Sequence, residues 1–253
     1  MRTVRPQLVG LPDVLALESP ASWVTRAALS QGATLREFTA FLGVGSRDVD
    51  QDWLRPGLGQ RLSVCGLSKG AFAATQRVMA ATQRLDPGGH RLLLWTKRGR
   101  PRYRVCPLCA RSQRAPYFGI HCRYAAWCYC PEHHCLLEDA CWSCRSQIEL
   151  PWSLVRTDGL AGKCAYLSEC FLCTRRFGDG PVIRLSEMGA MPSVFSLQLE
   201  NGRALLAALY RNEAVLNGRS RPISAIRQVE ALGLLRNSNS NPLADWWRQR
   251  CRE

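Results

Sequence analysis

Apolar positions in the first third of the chain recur at three and four residues, the helical period. Ser19 followed by Pro20 predicts a capped helix start, and that helix runs through Trp23, Ala27 and Ala28 to a stop at Gly32. Thr34 and Glu37 have the spacing of a capping box. Leu35, Phe38, Phe41 and Leu42 follow at helical spacing, and Gly43 ends the run. A third helix is expected from Ser68 to about Leu85, with Phe72, Thr75, Val78, Met79 and Thr82 along one side, before the turn Asp86-Pro-Gly-Gly89. The pair of short helices around Thr34 is a candidate helix-turn-helix; its apolar stripe serves equally as plain core.

Leu92 to Trp95 then read as a strand. Arg91 to Arg104, RLLLWTKRGRPRYR, holds six basic residues and no acid. Its centre, Lys97 to Arg102, has two readings. One is an extended Arg-Gly-Arg-Pro element that lays arginines in a narrow minor groove. The other is the exposed tip of a basic hairpin. On either reading Lys97, Arg98, Arg100, Arg102 and Arg104 are candidate nucleic-acid contacts. Toward the C-terminus, leucines 197, 199, 205, 206 and 209 predict a helix over 196–209. Ile223, Ile226, Val229, Leu232 and Leu235 predict another over 222–235, and the polar run NSNSN separates it from a segment bearing Trp246 and Trp247.

Between these helical parts the pattern changes. Cys106-Pro-Leu-Cys109, Cys130-Pro-Glu-His133, Cys141-Trp-Ser-Cys144 and Cys170-Phe-Leu-Cys173 are four half-sites, each with its ligands two residues apart. That spacing lets one tight turn aim two ligands at one ion, and two such turns close a tetrahedron around zinc. In chain order, Cys106, Cys109, Cys130 and His133 form one site and Cys141, Cys144, Cys170 and Cys173 a second, giving two Zn2+ ions. A crossed pairing of Cys130/His133 with Cys141/Cys144 is the alternative. Cys128 and Cys135 read as small buried hydrophobes, and His121 and His134 as surface or outer residues. Four protein ligands leave no position for a reactive water, and neither a His-Glu-x-x-His nor a deaminase pattern is present, so catalysis is not expected.

The fold class expected is mainly α with small β. A basic helical domain over 1–104 precedes a double zinc-ribbon or zinc-finger module over 105–180 and a helical segment over 181–253. Thirteen cysteines in a chain without a secretory leader suggest metal ligation in a reducing, cytoplasmic setting. No run is long and apolar enough to span a bilayer. The net charge of +14 suggests an anionic partner, with nucleic acid foremost. Residues 1–104 carry 16 basic against 7 acidic residues, whereas 105–180 carry 8 against 7, so phosphate contacts are expected on the flanks of the zinc module.

The segment from Arg104 to Cys144 resembles the zinc region of the TniQ family, which includes TnsD-type target selectors of bacterial transposons. The likeness rests on Cys106-Pro107-Leu108-Cys109, Tyr117-Phe118, Arg123, Cys130-Pro131-Glu132-His133, Cys135-Leu136-Leu137 and Cys141-Trp142-Ser143-Cys144. Upstream, Glu18-Ser19, Ser22-Trp23, Arg26 and Asp48-Val-Asp50 are similar to the family's opening helix and acidic turn. His134 stands where glycine is usual, His121-Cys122 where Ser-Trp is common, and Trp142 where proline is common. The resemblance implies a bacterial adaptor without chemistry of its own in DNA transposition. Such an adaptor selects the target site and recruits an AAA+ ATPase transposition regulator of the TnsC/TniB kind. Its other partners are target DNA and, for some relatives, a CRISPR effector complex. A zinc-containing transcription regulator is the alternative.

Overall fold

A computed structural model describes residues 8–222, apart from 45–46, 55–57, 59–60, 63–64, 68–69, 90, 114, 131, 151–166, 190–192 and 217–218. Its helices are α1 (Pro20–Ser30), α2 (Leu35–Leu42), α3 (Val49–Asp52), α4 (Ala73–Leu85), α5 (Pro107–Ser112) and α6 (Ser193–Arg211). Strands β1 (Glu213–Leu216) and β2 (Arg219–Pro222) form an antiparallel hairpin in which Glu213 faces Pro222 and Leu216 faces Arg219. Elsewhere among the described residues, β pairing is confined to isolated bridges. Mainly helical with little strand is therefore the observed class. No helix among the described residues is long and apolar enough to cross a membrane.

The caps form as their chemistry dictates. Ser19 accepts from the Ser22 amide, and Thr34 and Glu37 complete the reciprocal capping box. Gly43 closes α2 at φ 61°, in the left-handed region that glycine enters without a Cβ clash. α4 starts at Ala73 rather than Ser68, after a turn at residues 70–72. Pro222 ends a strand instead of opening a helix, and the helix expected beyond it and the segment with Trp246 and Trp247 lie outside the described residues. α1 and α2 pack together, but α2 turns Arg36, Glu37, Ala40 and Phe41 outward.

Two apolar cores run through the chain, and both cross residue 104. One joins Val78, Met79, Leu92 and Leu93 to Ile120, Tyr124, Leu136, Leu137 and, from α6, Leu199, Leu205, Leu206 and Leu209. Gly202 lets α6 lie against the Ala126 carbonyl, where a Cβ would collide. The other core stacks Trp23, Phe38, Trp53 and Phe72 edge to face and continues to Tyr103, Phe118, Ile148 and Phe177.

A buried ionic network connects the N-terminal helices to the segment before the second half-site. Arg123 Nη1 donates to Asp48 Oδ1 at 2.8 Å and Asp50 Oδ2 at 3.0 Å, and Nη2 donates to Asp48 Oδ2 at 3.2 Å. Asp50 also accepts from the Ala21 amide in α1 and from the Tyr103 hydroxyl. Burial opposes the charge of Arg123, but Asp48, Tyr103 and Asp50 outweigh it and hold its pKa well above the ordinary value. Burial pushes the Tyr103 phenol well up, with Asp50 adding to the effect, and burial also raises Tyr124.

Arg123→Met leaves two carboxylates buried without their cation and is expected to cost about 3–5 kcal/mol in urea denaturation. An alkaline titration checks the phenols. A phenol whose pKa is raised on folding favours the fold below its unfolded value of about 10, and that contribution is lost as pH rises toward the folded value. Stability should therefore fall above about pH 10. Absorbance at the phenolate band should show Tyr103 and Tyr124 ionising only with unfolding.

Candidate metal centres and a basic hairpin

Each half-site is a turn closed by one backbone hydrogen bond. The Ala110 amide donates to the Cys106 carbonyl at 3.0 Å, and His134, Arg145 and Thr174 donate to the carbonyls of Cys130, Cys141 and Cys170 at 2.9 Å. The first turn continues into α5, with Pro107 at its first position. The other three end on a residue at positive φ directly after the second ligand: His134 at 47°, Arg145 at 61° and Thr174 at 64°. His134 thus occupies the backbone region that glycine favours.

The turns bring together Cys106, Cys109, Cys130 and His133, and separately Cys141, Cys144, Cys170 and Cys173, with the ligand atoms of each group all within 4.8 Å of one another. This is the pairing in chain order, and the crossed pairing is overturned. In the first cluster His133 turns Nδ1 toward Cys109 Sγ at 3.3 Å, Cys130 Sγ at 3.6 Å and Cys106 Sγ at 3.7 Å. Cys109 and Cys130 Sγ are 3.6 Å apart. In the second, Cys141 Sγ lies 3.5 Å from Cys173 Sγ, and Cys144 Sγ 3.6 Å from Cys170 Sγ. Thiolates at tetrahedral corners about 2.3 Å from an ion are about 3.7 Å apart, so both clusters have the dimensions of a tetrahedral site. The soft thiolate and imidazole donors suit a zinc-like ion.

Packing so many thiols together makes them compete for charge. Hydrogen bonds from Cys109, Cys130 and Cys135 push Cys106 far down, while Cys106 and Cys130 push Cys109 up. Burial raises Cys141 to about 12. Burial also works to raise Cys144, but the Ser146 hydroxyl and amide outweigh it and, with Cys173 and Cys170, take that thiol down to about 7. A bound dication ends this competition by stabilising all the thiolates at once.

Sequence reasoning missed one group beside the ligands and read another only as a spare, core cysteine. Ser146 Oγ sits 3.0 Å from Cys144 Sγ and 3.3 Å from Cys170 Sγ, and Cys135 Sγ lies 3.4 Å from Cys106 Sγ. Only the nearness of Ser146 to Cys144 in sequence hinted at the first. Cys128 and Cys135 are buried in the apolar core, as expected. His121 is partly buried, and its imidazole is pushed down to about 4 by desolvation.

The segment 91–104 forms the hairpin rather than an extended groove-binding element. Leu93 bridges Tyr124, Trp95 bridges Pro101, and Thr96 and Arg100 close the tip around Gly99 at φ 69°. Lys97, Arg98 and Arg100 are exposed on that tip, with Arg100 3.7 Å from Glu149. Arg47 comes up beside Gly99, a neighbour that no local pattern announced. Arg102 and Arg104, unlike the basic residues of the tip, are buried at 2% and 0% exposure. Arg104 donates to Asp139 at 2.6 Å and to the carbonyls of Ala125 and Trp127 at 2.7 Å, and Arg102 lies 3.8 Å from Asp139. The Arg104 guanidinium satisfies buried carbonyls and a carboxylate, and Arg102 lies beside the same carboxylate.

A family model described as TniQ matches residues 11–137. The match takes in the N-terminal helices, the Arg123 network, the hairpin and the first cluster, and ends before the second. No curated protein matches the chain.

Cys109→Ser and Cys144→Ser are each expected to lower bound metal from two ions to one per chain and to unfold the surrounding turns. Structural metal contributes on the order of ten kcal/mol to such modules. Metal analysis of purified protein checks this, and an unchanged content would remove that cysteine from the ligand set. At exposed His134, glycine should keep the metal, whereas valine, strained in the left-handed region by at least ~1 kcal/mol, should weaken its retention against a chelator.

Proposed function

The chain belongs to the TniQ family, a family of transposition proteins, and from that premise we propose that it is a target-site adaptor. It selects or marks the insertion site by binding DNA, a target-recognition complex such as a CRISPR effector, or both, and it recruits an AAA+ ATPase transposition regulator. The observation that carries this reading is the family match over residues 11–137, half of the chain.

The geometry supports a role without chemistry. Each cluster supplies four protein ligands, and a Zn2+ held by four protein ligands has no open position on which to activate water. The two ions stiffen the middle of the chain and leave recognition to its surface. Lys97, Arg98 and Arg100 on the hairpin, with Arg47 beside them, form the proposed phosphate-binding tip. A guanidinium donates in a fixed fork that matches phosphate oxygens, and the chain's excess of positive charge draws a polyanion in. Arg102 and Arg104 sit behind the tip and hold its base.

DNA binding should weaken steeply with salt. Replacing Lys97, Arg98 and Arg100 together by alanine should flatten the slope of log K against log salt by up to about 0.9 for each phosphate that is no longer neutralised, with metal content unchanged. An unchanged slope would make the hairpin a bystander. Co-purification with the AAA+ regulator encoded beside the same transposon tests the adaptor role itself. Binding confined to one promoter, with no such association, would favour a transcription regulator instead.

A further inference from the structure

Beside the first metal cluster lies a pocket of a different character from the rest of this basic chain. It encloses about 120 Å3, several times the ~10–15 Å3 that one water needs. Phe118, Leu137 and Leu167 are buried around it. The half-buried ring of Tyr117 forms one wall. His121 forms another, its ring laid so closely over Gly119 that a Cβ there would collide with it. Exposed Glu132 lines it together with Cys109 and Cys130.

The charge around this pocket is negative. Glu132 carries a carboxylate. Three thiolates and a neutral imidazole around a dication leave the adjacent cluster at about −1. Burial raises the Tyr117 phenol, so its ring presents a neutral hydroxyl to the pocket. Arg104, which also touches the pocket, is tied to Asp139 and three backbone carbonyls. The desolvated His121 ring, at about 4, is neutral near pH 7. An apolar slot with an acidic lip and an aromatic wall matches one chemistry well. The methylene stem of a long basic side chain lies along apolar surface while its cation meets a carboxylate and a ring.

We infer that this pocket is a docking socket for a single arginine side chain presented by a partner protein. Arginine is favoured over lysine because a weakly hydrated, planar guanidinium can lie against an aromatic ring and still donate to a carboxylate. Buried arginines are also frequent anchors of protein interfaces. A polyanion is repelled here, so the socket faces a different class of partner from the hairpin tip. The assignment goes beyond the adaptor reading and stands whether or not the hairpin binds DNA.

The test uses the full metal-loaded chain, isotope-labelled for NMR, and the peptide Ac-Gly-Arg-Gly-NH2 as the probe, with its norleucine counterpart as the uncharged control. The arginine peptide should shift the signals of Tyr117, His121 and Glu132 saturably, and the norleucine peptide should bind at least tenfold more weakly. Glu132→Gln should weaken arginine binding about tenfold, the loss of one charge-assisted hydrogen bond, while both metal ions stay bound. The inference is overturned if no shift saturates, if norleucine binds as well, or if Glu132→Gln keeps full affinity. It is equally overturned if a DNA duplex shifts these pocket signals; a duplex that shifts only the hairpin leaves the socket assigned to protein.

Discussion

The guanidinium of Arg123 is fully buried, and it meets carboxylates that lie 75 and 73 residues earlier in the chain. Each of those carboxylates has a second task. Asp48 caps α3, while Asp50 accepts from the first turn of α1 and from Tyr103. One cation thereby fixes two helices, the hairpin base and the turn that leads toward the second half-site. Removing three charges from water is expensive, and an apolar replacement of similar volume often does as well for stability. What the network supplies is a partner for each buried group, since both carboxylates and the phenol are satisfied around one cation.

Around this link the chain closes further. Glu18 accepts from Ser22 and Arg26, the Ser19 amide reaches the Phe118 carbonyl, and the Phe118 amide reaches the Ser22 hydroxyl. The start of α1 is thus seated on the segment that forms the pocket wall. The two metal clusters stand in different cores: Cys106 and Cys130 belong to the core shared with α4 and α6, and Cys141 and Cys170 to the aromatic core of the N-terminal helices. Each cluster could hold a metal ion, which would tie loops that have little regular secondary structure to cores that do.

Short-range chemistry was legible in the sequence. The Ser19 cap, the Thr34–Glu37 box, the Gly43 stop and all four half-sites depend on residues at most four apart, and each is present. What depended on tertiary burial was not legible. Six basic residues between Arg91 and Arg104 look alike on paper, yet Arg102 and Arg104 sit inside and Lys97, Arg98 and Arg100 outside. The difference is made by Asp139 and by the carbonyls of Ala125 and Trp127, more than twenty residues away in the chain. The hairpin likewise rests on a distant partner, since Trp95 and Pro101 pair across Gly99 while Leu93 bridges Tyr124. The likeness to TniQ proteins singled out Asp48, Asp50 and Arg123, but nothing local said that they meet.

The central claim is that the N-terminal helices and the first metal module open as one cooperative unit through Arg123. Native-state hydrogen exchange on the metal-loaded chain tests it at three amides: Ala21, bonded to Asp50; Phe118, bonded to Ser22; and Leu137, bonded to Cys128. One common opening free energy at all three is the expected result. Exchange at Ala21 faster than at Leu137 by tenfold or more, a gap of at least about 1.4 kcal/mol, would show two independent units and contradict it.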